Sequence, residues 1–176
     1  MRVVTLIAMD VSRSECEMGR IRFWRVCMDG PATDDELLAE LEVGRRAMLD
    51  VVRANKKLLF LLDNGPNHDM NARQRRIQAD WNKETRGLQV ESMLGIAFVA
   101  GSAIHRVIIT GVFWVQPPPV PYRVCGSFQA ALQWMFELYE RQAGALSHEE
   151  RAKCGARLAQ LKPGYPSSQR QLQQRA

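Results

Sequence analysis

Apolar and polar positions divide the chain into strand-like and helix-like segments. Val3–Ala8 is a short apolar run that predicts a first strand, and it gives way to the polar stretch Asp10–Gly19. Arg20–Met28 alternates between apolar and basic side chains, as a strand with one solvent-facing side does. Lys57–Asp63 is apolar almost throughout, which is typical of a central strand buried on both faces. Two shorter runs complete a predicted sheet of about five strands: Gly95–Ala100 and Pro121–Cys125.

Helical segments alternate with these strands. Thr33 and Glu36 form a capping box at the start of the first helix, in which the hydroxyl and the carboxylate satisfy free backbone N–H groups. Ser147 and Glu150 repeat this pattern and predict a C-terminal helix. The other predicted helices are Met70–Val90, Ser102–Ile109 and Phe128–Arg141. Strands that are each followed by a covering helix predict an α/β fold with helices packed on one sheet.

The chain of 176 residues is long enough for one domain with an appendage. We predict a single α/β domain over residues 1–142, in which four helices cover a mixed sheet, followed by a helical extension over residues 143–162. Residues 163–176 are rich in Gly, Pro, Ser and Gln, and this composition predicts a flexible, disordered tail.

The net charge of +5 is unevenly distributed along the chain. Basic and acidic side chains nearly balance over residues 1–143, so most of the excess belongs to the C-terminal segment. A nearly neutral body disfavours nucleic acid as a partner. The longest apolar runs fall short of the roughly 20 residues that a bilayer span requires, so we expect no membrane span and a cytoplasmic protein.

The four cysteines predict no metal site and no cofactor. They are widely separated, with no Cys-x-x-Cys pair and no histidine at ligand spacing. Cys27 and Cys125 fall in strand-like runs, where a free cysteine behaves as a small buried hydrophobe. We therefore expect reduced thiols in a reducing compartment.

Four passages carry a resemblance to a known family: KLLFLLDNG, GIAFVAGSAIHRVIITGVFW, PPPVPYRVCGS and SFQAALQWM. Their order and apolar positions, over residues 1 to about 142, resemble the STAS domain, the fold of bacterial anti-sigma factor antagonists and their STAS/SEC14-like relatives. The resemblance implies a non-enzymatic regulatory or scaffold domain that binds another protein in the bacterial cytoplasm. It assigns no catalytic residue, because the pattern is one of topology rather than of reactive side chains.

The sequence departs from this family at the position of the phosphorylation switch. In phospho-regulated members, a Ser or Thr at the start of the helix after the central strand is phosphorylated to control partner binding. Residues 63–74 of this chain read DNGPNHDMNARQ and contain no hydroxyl side chain. The resemblance therefore implies a partner surface without a phospho-switch.

The predicted partner surface is the second helix together with the loop before it. We assign six residues to it: Asn64, His68, Arg73, Arg76, Lys83 and Arg86. Clustered arginine is favoured at interfaces, and the local positive charge indicates a protein partner with an acidic surface. A solvated helix face held by i,i+4 pairs such as Arg76–Asp80 explains the same charges, so both interpretations stay open. A homo-oligomer stays open as well.

The loop after the central strand also allows a different chemistry. Asp63, His68 and Asp69 follow a strand end, where ligand crevices form in open α/β sheets, and they suggest a metal site or acid–base work. Turn formation and helix capping explain the same residues more simply.

A second hypothesis is a small-ligand or lipid-binding module. His105, Trp114 and Tyr122 would then line an apolar pocket of the SEC14-like kind. The competing explanation is that aromatic residues at this point belong to the core, with the Pro-rich stretch ending a helix. A hydrolase that uses His68 or His105 is a third, weaker hypothesis, since no strand–GxSxG–helix elbow is present.

Overall fold

The computed structural model describes residues 9–65, 70–103, 106–107, 109–110, 113 and 117–163. Its strands are β1 (Asp10–Met18), β2 (Ile21–Asp29), β3 (Lys57–Asn64), β4 (Met93–Ala100), β5 (Tyr122–Cys125) and β6 (Lys162–Pro163). The helices whose first and last residues are both described are α1 (Asp34–Arg53), α2 (Ala72–Glu84), α3 (Arg86–Ser92), α4 (Phe128–Ala143) and α5 (His148–Ala159). The described residues from 103 to 113 are also helical, in line with the helix predicted there.

All six strands belong to one mixed sheet, in the order β5-β4-β3-β2-β1-β6. β1 and β2 form an antiparallel hairpin that turns at Gly19, whose φ of 56° lies in the left-handed region that glycine adopts freely. β2, β3, β4 and β5 are parallel neighbours, with Trp24 opposite Phe60 and Phe60 opposite Ile96. The predicted mixed α/β sheet is confirmed, and the two-residue β6 extends it by pairing with β1.

Helices cover both faces of this sheet, as parallel strands require. On one face, Trp24 of β2 and Met48 of α1 belong to a buried cluster against which residues of α2 and α3 also pack. On the opposite face, Phe23 of β2 packs in a cluster with Met135 of α4 and Leu158 of α5. Neighbouring residues of β2 thus pack into two separate cores, because successive side chains of a strand point to opposite faces.

The capping boxes predicted for two helices are both present. At the start of α1, the backbone N–H of Glu36 donates to Thr33 Oγ1 at 3.2 Å, and the backbone N–H of Thr33 donates to Glu36 Oε2 at 2.9 Å. Ser147 and Glu150 exchange the same two bonds at the start of α5, at 2.9 and 3.2 Å. These polar pairs therefore set where α1 and α5 begin.

The first observed strand is a correction to the sequence analysis. β1 covers residues 10–18, which were expected to be a polar segment after a strand, while residues 1–8 lie outside the described part of the chain. The sequence of β1 is mostly polar because different contacts with other elements stabilise its two faces. Ser14 is buried and Cys16 is half-buried on the α5 side, whereas Arg13 on the other side forms an ion pair with Glu40 of α1.

The helix predicted over residues 70–90 is two helices, α2 and α3, which meet at Thr85. The Thr85 hydroxyl donates to the Trp81 carbonyl at 2.7 Å, so it competes for a backbone acceptor at the end of α2. Such back-bonding by threonine destabilises and bends helices. Helical periodicity alone does not reveal this break.

The C-terminal helix α5 packs against β1 and β2. Cys154 and Leu158 of α5 are fully buried in this contact, and Ser14 Oγ donates to the Leu158 carbonyl at 2.7 Å. The helix thus lies on the sheet rather than extending away from it. The boundaries at residues 142 and 162 stay predictions, and residues 164–176 of the expected tail lie outside the described residues.

The contact between α4 and β4 at Gly95 generates a stability prediction. A Cβ at Gly95 would lie 2.6 Å from Leu138 Cδ1 and 3.0 Å from the Pro121 carbonyl oxygen. We expect Gly95→Ala to lower the free energy of unfolding by about 1–3 kcal/mol in urea denaturation, because the added methyl group overpacks this contact. Gly87→Ala is the matched control, since a Cβ there meets no atom within 4 Å. An unchanged urea midpoint for Gly95→Ala would contradict the packing described.

Candidate functional site

The carboxyl end of β3 brings Asp63 and Asn64 to the sheet edge where ligand crevices form in open α/β sheets. Arg25 of β2 donates from Nη2 to Asp63 Oδ2 at 2.5 Å, with the two side chains 11% and 15% exposed. The same guanidinium donates from Nη1 to the Leu158 carbonyl at 3.1 Å and lies 4.1 Å above the ring of Phe128. Asp63 is therefore held in a structural contact.

Two residues of this loop, Asn64 and His68, were predicted to belong to the partner surface, and the structure describes only Asn64. Asn64 is half-buried, and its Oδ1 is buried with no hydrogen-bond partner among the described residues. His68 lies outside the described residues, as does Asp69. The loop contribution to the partner surface therefore rests on Asn64 alone in the described chain.

The cationic side chains predicted for the partner surface lie in solvent on α2 and at the start of α3. Arg73 and Arg76 are 81% and 85% exposed, and Lys83 and Arg86 are exposed as well. Arg75, on the same helix, is also exposed. We call these five residues (Arg73, Arg75, Arg76, Lys83 and Arg86) the basic face.

The opposite side of α2 and α3 explains why the basic face points outward. Gln74, Thr85, Gln89 and Ser92 are all buried there. Gln74 Nε2 donates to the Ala32 carbonyl at 2.6 Å, Gln89 Nε2 to Thr85 Oγ1 at 2.9 Å, and Ser92 Oγ to the Leu88 carbonyl at 2.6 Å. Buried polar groups are tolerated when they are bonded in this way. This bonded polar seam satisfies the buried side of α2 and α3, and its Gln74–Ala32 bond ties α2 to the segment before α1.

Sequence reasoning missed this seam. The helical spacing of Met70, Ile77, Trp81 and Leu88 predicts that these residues face the sheet, and the structure finds all four half-buried. Trp81 and Leu88 do pack against the core cluster, but the most buried positions are polar. One signal was available: Asn71 and Gln74 form a capping box at the start of α2.

The ion pairs of the basic face are exposed and few. Arg73 Nε lies 2.9 Å from Asp34 Oδ2 of α1, and Arg76 Nε lies 4.0 Å from Asp80 Oδ2. Among the described residues, no ion pair joins Lys83 or Arg86 to an acid. Exposed pairs of this kind contribute about 0–1 kcal/mol, so these cations are not locked in place by their neighbours.

The residues of the predicted ligand pocket are only partly described. Tyr122 of β5 is half-buried, and its ring packs edge-on against Phe113 with the centroids 4.9 Å apart. The ring centroid of Phe113 in turn lies 4.7 Å from that of Phe98 of β4. His105 and Trp114 lie outside the described residues. Tyr122 is therefore part of an aromatic cluster on the sheet.

A cavity of about 80 Å³ lies elsewhere, between the sheet and helices α1 and α2. Trp24, Phe60 and Trp81 contribute aromatic rings to its wall, and Gly44 of α1 leaves room beside Trp81. Trp81 Nε1 is buried with no hydrogen-bond partner among the described residues. Sequence reasoning did not find this cavity, because its wall combines residues of five separate elements.

The described residues include neither a group that could hold a metal ion nor a membrane-spanning helix, and the Cys27 and Cys125 thiols have shifted pKa values. Within them, His, Cys, Asp and Glu side chains form no group of three that could hold a metal ion, and no helix is long and apolar enough to cross a membrane. Burial raises the pKa of the Cys27 thiol, and the Asp63 carboxylate raises it further. Burial likewise raises the pKa of the Cys125 thiol. Both thiols are therefore protonated at neutral pH and weakly nucleophilic.

Comparison with known proteins identifies the fold. No protein-family model and no curated protein matches the chain. A similar solved structure is that of an uncharacterized DUF3478-family protein with a SpoIIAA-like fold from Shewanella loihica PV-4. The likeness has a TM-score of 0.54 and 10% sequence identity, and it covers 72% of this chain and 94% of that chain. The chain therefore has a SpoIIAA-like fold, the fold of the STAS domain, and the predicted resemblance is confirmed at the level of fold.

The buried pair at the end of β3 generates a second stability prediction. Asp63→Asn leaves the Arg25 guanidinium buried without its counter-ion, and we expect a loss of about 3 kcal/mol in the free energy of unfolding. The double variant Arg25→Met with Asp63→Leu is expected to lose less free energy of unfolding than the summed losses of the single variants Arg25→Met and Asp63→Leu. Urea denaturation of all variants measures this coupling.

The control for this cycle is the exposed pair Glu149–Lys153, which is 74% exposed on both sides. Glu149→Gln is expected to leave the urea midpoint unchanged, since exposed pairs contribute little. Strictly additive costs for Arg25 and Asp63 would show that the two residues are not coupled.

Proposed function

We propose that this chain is a non-enzymatic STAS-like interaction domain that binds an acidic protein surface through the basic face and the loop before α2. The observation that supports the proposal most is the outward display of five cationic side chains on elements whose opposite side is held by buried hydrogen bonds. We place this interaction in the bacterial cytoplasm, on the strength of the family resemblance. A second copy of the chain is the other partner that this reading allows.

Charge and residue type both support an acidic protein partner. Arginine is favoured at interfaces because its planar guanidinium binds carboxylates in a bidentate manner, and the basic face carries four arginines. Complementary charge raises the association rate and selects against basic partners. Nucleic acid is disfavoured, since the basic face contains no aromatic residue on which bases stack.

The proposed absence of a phospho-switch rests on composition. Residues 63–74 contain no hydroxyl side chain, so the position that is phosphorylated in regulated members of the family has no acceptor here. The proposed absence of catalysis is supported by the buried Arg25–Asp63 pair and by the raised pKa of the Cys27 and Cys125 thiols. The interaction would then be constitutive or regulated through the partner.

Charge reversal on α2 tests the proposal. Arg73→Glu combined with Arg76→Glu is expected to weaken binding of the captured partner by about tenfold or more, because it places acids against an acidic surface. The measurement is the affinity for a partner captured from lysate of the host with the full-length chain and then purified. Binding should also weaken with added salt, as expected for charged surfaces.

The matched control reverses two equally exposed arginines on α1. Arg46 and Arg53 are 73% and 74% exposed, and each forms an ion pair with an acid on the same helix. Arg46→Glu with Arg53→Glu makes the same change in net charge outside the basic face, and it should leave the affinity nearly unchanged. Equal losses for both double variants would mean that net charge, rather than the basic face, governs binding.

The cavity between α1, α2 and the sheet favours a second candidate function, the binding of a small apolar ligand. Its wall is mainly aromatic and aliphatic, with the polar residues Glu40 and Gln78 also lining it, and it includes Trp81, whose buried Nε1 has no hydrogen-bond partner among the described residues. Small-molecule sites commonly combine an apolar wall with a few polar groups in this way. This cavity is separate from the pocket expected around Tyr122.

Native mass spectrometry of the full-length chain, purified from its host, tests this candidate. We expect an extra mass on the wild-type chain that is lost in Gly44→Val, since the new side chain would occupy space beside Trp81. The circular dichroism spectrum of Gly44→Val serves as the control for folding. A wild-type chain without added mass, or an added mass that Gly44→Val retains, would contradict ligand binding in this cavity.

A further inference from the structure

Two of the four cysteines meet where β1 and α5 pack together. Cys16 of β1 lies on the same strand face as Ser14, and Cys154 of α5 lies one turn before Leu158 on the same helix face. Ser14 Oγ donates to the Leu158 carbonyl at 2.7 Å, which fixes how the strand and the helix lie against each other. The Cys16 and Cys154 side chains consequently face each other across the contact between β1 and α5, and neither forms a disulfide.

The remaining cysteines do not share this arrangement. Cys27 lies on β2, and Cys125 lies on β5, at the other edge of the sheet. Cys125 belongs to the same core cluster as Cys16 and Cys154, but β1 and α5, which carry the latter two, are in direct contact, whereas three strands separate β5 from β1. The chain therefore offers one proximal thiol pair among the described residues and two cysteines that serve as internal controls.

We propose that Cys16 and Cys154 form a peroxide-sensitive dithiol, whose oxidation links β1 to α5 by a disulfide. In the first step, the Cys16 sulfur attacks a peroxide oxygen, the O–O bond breaks, and Cys16 becomes a sulfenic acid as water leaves. In the second step, the Cys154 sulfur attacks the sulfenic sulfur, and a second water leaves with the thiol proton. Two thiols are oxidised to one disulfide, and one hydrogen peroxide is reduced to two waters.

Exposure sets the order of these two steps. Cys16 is half-buried within β1, whereas the Cys154 side chain is fully buried. Burial raises the pKa of the Cys154 thiol, and the neighbouring Cys16 raises it further. A peroxide therefore meets Cys16 first, and Cys154 acts as the resolving thiol because it lies beside the sulfenic acid rather than because it is reactive in solvent.

The disulfide would fix α5 on the sheet. In the reduced chain, α5 is held by side-chain packing and by the bonds that Ser14 and Arg25 donate to the Leu158 carbonyl. A covalent link between residues 16 and 154 closes most of the chain into one loop, which restricts the unfolded state. We expect the oxidised chain to have a Tm higher by roughly 5–15 °C, in line with the stabilisation of long disulfide loops.

Peptide mapping of the full-length chain under non-reducing conditions tests the proposal. The purified, reduced chain is treated with hydrogen peroxide, alkylated, digested and analysed by mass spectrometry. We expect the loss of two hydrogen masses, a linked peptide pair that contains Cys16 and Cys154, and alkylated Cys27 and Cys125. Dithiothreitol should reverse both the mass change and the rise in Tm.

Variants separate this pair from general oxidation. Cys16→Ser changes a half-buried thiol and should abolish both the link and the rise in Tm, whereas Cys27→Ser should leave both intact. Cys154→Ala, which keeps the site small and apolar, should leave Cys16 able to react but without a partner. Four alkylated thiols after peroxide, a link that involves Cys27, Cys125 or a second copy, or Cys16 oxidised only to sulfinic acid would each overturn the proposal.

Discussion

The fold depends on a single buried guanidinium, that of Arg25. It joins β2 to Asp63 at the end of β3, to the Leu158 carbonyl near the end of α5 and to the ring of Phe128 at the start of α4. A buried charge is tolerated only when it is paired and hydrogen-bonded, so these elements have to come together for Arg25 to be buried. Asp63 at the end of β3 therefore has a structural role, although such strand ends often bind ligands in α/β folds.

Because the Arg25–Asp63 pair occupies the end of β3, we place the proposed recognition surface on the outer side of α2. Hydrogen-bonded polar residues hold its inner side, and Arg73 and Arg76 on the outer side are almost fully exposed. An interaction surface on a helix needs no ordering of the backbone when a partner binds, which reduces the entropic cost of association. The SpoIIAA-like fold and the basic face are therefore compatible with binding as the main activity.

Much of the fold could be predicted because its signals are local. The apolar runs of β3 and β4 and the capping boxes at Thr33 and Ser147 are encoded by neighbouring residues. β1 was missed because its polar side chains are stabilised by contacts with distant elements, such as the Arg13–Glu40 pair. The exposure of the basic face could be anticipated from charge, but neither the cavity nor the Cys16–Cys154 contact could, since both depend on how helices lie on the sheet.

Hydrogen–deuterium exchange of the full-length chain, alone and with its captured partner, tests the central claim most directly. The account predicts that the partner slows exchange mainly over residues 70–92, which contain α2 and α3, with little change in α4 and α5. Protection confined to α4, α5 or β5, with residues 70–92 exchanging as in the free chain, would contradict binding through the basic face.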